Sequence, residues 1–209
     1  MEYNCPNCGA PIKFSAGLSI YTTCTFCRSN IVRHDKDLEK IGEVSELLQD
    51  MSPFQVGTSG RFDGMGFTLL GRIKVGYPTG MWSEWYALFD DGRQAWLAEA
   101  QGYYMLSFPY GEMPDLRYDQ LRVNRRFTIE GVRYVVEDRR EIRYLASEGE
   151  LPFVFEQGFK ALSIDLRGQN QEFVNLLRGP QGNEVFKGRY VDFDEFEFKM
   201  LRQIDGWDA

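Results

Sequence analysis

Two pairs of cysteines constrain this chain more than any other feature. Cys5-Pro-Asn-Cys8-Gly9 and Cys24-Thr-Phe-Cys27 are separated by fifteen residues, and the 209-residue sequence contains no other cysteine. Each Cys-x-x-Cys places two sulfurs on one tight turn, and two such turns complete a tetrahedral metal site. Gly9 is the permissive residue that lets backbone N–H groups turn toward the thiolates. Residues 12–14 and 18–21 alternate as short strands around Ser15-Ala16-Gly17, and Ile31-Val32 continues after the second pair. Residues 1–33 therefore read as a zinc ribbon, with Cys5, Cys8, Cys24 and Cys27 as ligands of a structural Zn2+. Four thiolates leave no open position for a catalytic water. Disulfides are the competing use of four cysteines, disfavoured by the reducing, cytoplasmic compartment expected of a chain with neither a signal peptide nor a run of about 18 apolar residues.

Residues 34–52 read as a connecting amphipathic helix. Leu38, Ile41, Val44, Leu48 and Met51 recur at spacings of three and four, Asp35 caps the start and Pro53 marks the stop. Gly42 weakens the middle by about 1 kcal/mol relative to alanine. The apolar stripe is expected to dock on the rest of the chain, or on a partner helix or second copy. His34 reads as a linker residue, since four cysteines already close the metal site.

From residue 53 to 199 the pattern is of short β segments, giving a mainly β fold of barrel or sandwich type, followed by a tail over 200–209. Its clearest element is the hairpin Trp82-Ser-Glu84-Trp85-Tyr86-Ala-Leu-Phe89-Asp-Asp-Gly92-Arg-Gln-Ala-Trp96-Leu97-Ala-Glu99. Gly92 supplies the positive φ of the turn. A three-residue loop sets Trp85 opposite Leu97 and Tyr86 opposite Trp96; a two-residue turn shifts every pair by one. Neither strand alternates strictly, so both faces are expected to be covered. Further strands are expected at 67–75, 103–108, 127–129, 132–136, 142–145, 153–155, 160–166, 172–177 and 190–191, with 192–198 as a strand or short helix. Two echoes suggest related β lobes: Arg61-Phe62 with Gly66 recurs as Arg126-Phe127 with Gly131, and residues 95–102 recur in part as 161–168.

The net charge of −7 disfavours nucleic acid as a partner. Arg122, Arg125, Arg126, Arg133, Arg139, Arg140 and Arg143 form the local exception, and a nucleic-acid reading requires them to share a face. The ribbon's few basic residues offer little more. With one histidine and no thiol outside the cysteine pairs, catalysis rests on carboxylates. Glu84 and Glu99 are the candidates, at the outer ends of the hairpin and beside tryptophans whose desolvation raises a carboxyl pKa. The competing role for both is to pair with Arg72, Arg93 or backbone donors.

Val56-Gly57, Gly71-Arg72, Trp82-x-Glu84-Trp85-Tyr86-x-Leu88-Phe89, Trp96-Leu97-x-Glu99-x-x-Gly102 and Phe186-Lys-Gly188-Arg-Tyr190-Val191 resemble the bacterial family called domain of unknown function 4178, over roughly residues 54–198. The resemblance implies no established activity, allows a zinc ribbon in front, and implies gene neighbourhoods with small membrane proteins and with enzymes resembling those of polyamine synthesis. The sequence is thus read as a non-enzymatic, zinc-containing binding or scaffolding protein acting through protein–protein interaction, its unidentified partner a membrane-associated one among the options. The alternatives are a carboxylate-dependent enzyme with a pocket near Glu84 or Glu99, and a nucleic-acid binder using the ribbon or the arginine cluster.

Overall fold

The computed structural model describes residues 2–34, 37–43, 50–111, 113, 118–180 and 182–204. Strands dominate, and the helical structure among the described residues is limited to two short 3-10 turns, Tyr118–Gln120 and Phe193–Phe196. No described helix is long and apolar enough to cross a membrane.

The cysteine head pairs β1 (Glu2–Asn4) with β2 (Pro11–Lys13) as a separate ribbon. Its remaining strands, β3 (Tyr21–Thr23), β4 (Ser29–His34) and β5 (Asp37–Glu43), form an antiparallel meander. The expected helix is therefore corrected over 37–43, while its residues 35, 36 and 44–49, the cap Asp35 among them, lie outside the described residues. The physical reason is that β4 presents a row of unpaired backbone groups, which β5 satisfies by pairing along it from His34–Asp37 to Ser29–Glu43. A helical stripe needs a surface to bury it, and Ile41 remains 44% exposed. Gly42 further lowers the helical alternative. His34 ends β4 with Nε2 3.0 Å from Glu39 Oε2, and takes no part in the metal cluster.

The body runs through β6 (Ser59–Phe62), β7 (Met65–Tyr77), β8 (Gly80–Phe89), β9 (Gln94–Ala100), β10 (Tyr103–Tyr110), β11 (Arg126–Ile129), β12 (Val132–Leu151), β13 (Lys160–Arg167), β14 (Glu172–Gly179) and β15 (Gly182–Tyr190). Pairing β7-β8-β9-β10-β15-β14-β13-β12 and back to β7 closes a ring of antiparallel strands. The expected strands at 132–136 and 142–145 are one continuous strand. β12 pairs with β13 through its first half and with β7 through its second, and it is long because it closes the ring. Residues 153–155 form no strand; they cross one end of the ring, where Phe153 and Phe155 pack against Tyr144.

The chain traces the same path twice. β6 to β10 and β11 to β15 are each a five-strand meander, joined through the seams β7–β12 and β10–β15. The first sequence echo falls on the equivalent pair β6 and β11, with Asp63-Gly64 and Glu130-Gly131 both at positive φ in the following turn. The second echo falls on β9 and β13, which occupy different places in their halves.

The hairpin has the three-residue loop: Phe89 N donates to Arg93 O at 2.9 Å, Trp85 lies opposite Leu97 and Tyr86 opposite Trp96. Its outward face carries Trp85, Ala87, Phe89, Ala95 and Leu97 into a core completed by Phe54, Phe62 and Phe196. Phe54 and Phe198 stand 4.7 Å apart between ring centroids, so the segments on either side of the ring strap this face from outside. The second half carries an equivalent outer core of Tyr134, Val136, Ile164, Leu166, Val174 and Leu176. Of the tail, residues 200–204 are described, and Arg202 N donates to Pro53 O at 2.8 Å; residues 205–209 lie outside the described set.

Candidate functional site

Because side chains alternate along a strand, closing the ring turns one residue in two toward the lumen. Those residues enclose a cavity of about 960 Å³ lined by all the strands of the ring. One end is packed by Tyr86, Ile73, Ile142, Leu177 and Phe155, with Ala16 and Tyr21 of the head in the same cluster. Exposed lining residues, Met81 and Tyr103 among them, give the cavity a rim.

Glu84 points into this lumen. Trp82 Nε1 donates to Glu84 Oε1 at 2.6 Å. Glu84 lies deep in the molecule yet keeps a face on the cavity, and this burial, with a smaller push from the Asp165 charge, raises its pKa to about 7 against the opposing Trp82 hydrogen bond. Asp165 of β13 faces the same cavity, where Asn175 Nδ2 donates to its Oδ1 at 2.7 Å and to Ser163 Oγ at 2.8 Å. Burial is again the main cause lifting Asp165 to about 6. Tyr144 in the lining is held above its ordinary value by burial first and by Glu84 second.

Glu99 does not share the site. Ser83 is its strand partner while Glu84 pairs with Ala98, so the two glutamates sit on opposite faces of the hairpin. Glu99 accepts from Ser52 Oγ at 2.6 Å and from Trp85 Nε1 at 3.1 Å beneath the strap. The expected arginine partners are used elsewhere. Arg72 is paired with Asp50 at 3.0 Å and Glu148 at 2.8 Å, and Arg93 with Asp91 at 2.7 Å. Asp165 entered the sequence reading only within the echo over residues 161–168. Its pairing with Glu84 across the lumen has no local signal, because the two are joined only by ring closure.

Arg140 lines the cavity, pairs with Asp138 and lies 4.2 Å over the Tyr77 ring, whereas Arg139 and Arg143 alternate to the other side of β12. Arg125 covers Phe127 at 5.5 Å. The arginines between 122 and 143 are thus distributed over more than one face.

In the head, Cys5, Cys8, Cys24 and Cys27 bring their sulfurs within 4.8 Å of one another, close enough to hold a metal ion. Cys5 and Cys27 sulfurs are 3.6 Å apart and those of Cys8 and Cys24 3.8 Å; no disulfide joins them. Each pair ends in a residue at positive φ, Gly9 and Arg28, whose N–H donates to the first cysteine's carbonyl at 2.9 Å. The Ser29 hydroxyl lies 3.3 Å from the Cys27 sulfur.

A family model described as "Domain of unknown function (DUF4178)" matches residues 55–193, from the strap to the last 3-10 turn. No curated protein and no solved structure matches the chain.

Proposed function

This chain belongs to the family described as Domain of unknown function (DUF4178), and on that premise, which assigns no activity, we propose a non-enzymatic, zinc-containing binding protein whose barrel lumen encloses a small ligand. The observation that carries this reading is the cavity of about 960 Å³, at the upper end of the roughly 300–1,000 Å³ of known ligand sites. A core built only for stability is filled at close-packed density. The lining combines apolar rings with a few fixed polar groups, as ligand sites do.

The metal proposed for the head is zinc in a structural role. Tetrahedral Zn–S bonds of about 2.3 Å place sulfurs about 3.8 Å apart, and the cysteine spacings of 3.6 and 3.8 Å fit that edge. A protein partner, a membrane-associated one included, would dock on the head, whose exposed Leu18, Ile20, Phe26 and Ile41 favour this second use.

Binding of an amphiphilic fluorescent probe to the full chain tests the lumen. Ala98 is buried and lines the cavity, so Ala98→Trp fills it. Wild type is expected to bind the probe and Ala98→Trp to lose it with an unchanged far-UV circular dichroism spectrum. Equal binding by a folded Ala98→Trp overturns the lumen reading.

A further inference from the structure

The polar groups of the lumen name a class of ligand, an inference that rests on the lumen being a binding site. Glu84 and Asp165 come from opposite halves of the chain and are half-buried on the wall of the cavity. Hydrogen bonds from Trp82 and Asn175 engage one oxygen of each carboxyl. Neither carboxyl forms an ion pair among the described residues, because the cations at the cavity are otherwise engaged. Arg140 is held by Asp138, and Arg167 lies 3.1 Å from Glu137 and 4.3 Å over the Tyr190 ring. Two half-buried acids therefore face open volume with free acceptor positions, Glu84 with no cation beside it and Asp165 with only the more distant charge of Arg140, which Asp138 already pairs. A buried charge without a partner is destabilising, and evolution normally supplies one.

We propose that the missing partner is an organic cation, an ammonium group on an apolar body, held in the lumen between Glu84 and Asp165. Its N–H groups would donate to the free carboxyl oxygens. Trp82, Trp96 and Tyr144 line the same cavity and offer aromatic surface to the charge and to its alkyl body. Trp82 is the hinge of the arrangement, since its indole N–H holds Glu84 while its ring borders the cavity. A bare metal ion is a poorer fit. Among the described residues only the four cysteines bring three or more histidine, cysteine or carboxylate ligand atoms together. An anion would meet Glu84, Asp165 and Glu184, and two arginines already paired.

The test uses the full-length protein and three probes of one chain length: hexylammonium, hexanol and hexanoate. Binding is followed by calorimetry and by tryptophan fluorescence. Hexylammonium is expected to bind about tenfold or more tighter than hexanol, the scale of one charge-assisted contact with aromatic support, with hexanoate weakest. In the double variant Glu84→Gln/Asp165→Asn the preference should vanish while hexanol binding is retained, which also shows that the barrel is intact. Equal affinities for hexylammonium and hexanol, or a preference that survives in the double variant, overturn the cation assignment and leave the lumen site standing. Binding of none of the three overturns both.

Discussion

Glu84 shows how far one residue's chemistry depends on where the fold places it. Its folded pKa of about 7 lies above the ordinary 4.5, so the native state holds the proton more tightly than the unfolded chain does. The contribution to stability is therefore complete below about pH 4.5 and is lost as pH rises through about 7. Glu84→Gln keeps the shape of the neutral form. At about pH 8 it is expected to be more stable than wild type by about 1–3 kcal/mol; the upper figure takes the whole shift at 1.36 kcal/mol per unit and the lower allows for water in the cavity. Near pH 4.5 the two should unfold together. Urea midpoints at both values check this, and a difference independent of pH would show that the carboxyl is solvated as in the open chain. Glu99, on the other face of the same hairpin, keeps its partners Ser52 and Trp85 and is a packing residue.

At the scale of elements, the closing seam between β7 and β12 depends on close backbone approach. Gly71 lies opposite Gly149, and a Cβ on Gly149 would stand 2.3 Å from the Leu70 carbonyl oxygen at a φ of +70°. Neither the contact nor the dihedral suits a side chain. Gly149→Ala is expected to cost about 2–4 kcal/mol, in the range of mutations that combine backbone strain with overpacking. Gly92→Ala, also at positive φ but with open space around it, should cost only about 1–2 kcal/mol, the price of the left-handed conformation alone. Denaturant unfolding of the two variants separates them, and equal losses would show that the seam tolerates the added atom. The head's β5 makes the complementary point about elements. Leu38 and Ile41 carry helical spacing, yet the open edge of β4 recruits the segment as a strand.

At the scale of the whole molecule, head and ring are one hydrogen-bonded body. Tyr21 and Thr22 of β3 pair with Leu151 and Glu150 of β12, and the Tyr21 hydroxyl meets Ser147 Oγ at 3.0 Å. The buried Glu150 carboxylate accepts from Ser15 N at 2.7 Å and Ala16 N at 3.2 Å. Metal removal by a chelator is expected to loosen the head first, because so short a segment cannot bury enough surface to hold itself without the ion. Hydrogen exchange should rise over residues 2–34 and, through Tyr21 and Ala16, at the packed end of the lumen, while β9, β10 and β15 stay protected. Unchanged exchange in the head would mean that the β3–β12 pairing suffices without a metal.

The sequence by itself determined what short-range geometry governs. The cysteine spacing brings four sulfurs together through two local turns, the Asp-Asp-Gly loop marks where the hairpin reverses, and a dense succession of β segments makes the body a β structure. All three act over a few residues, so their signals survive in the linear pattern. Only the tertiary structure decided that the body closes into a ring, that β12 is one strand bridging its two halves, and that Glu84 faces inward while Glu99 faces out. It alone brought Glu84 to Asp165. Such choices depend on register and on pairing between strands far apart in the chain, where a shift of one residue exchanges lumen for exterior and no local pattern records which way the ring will close.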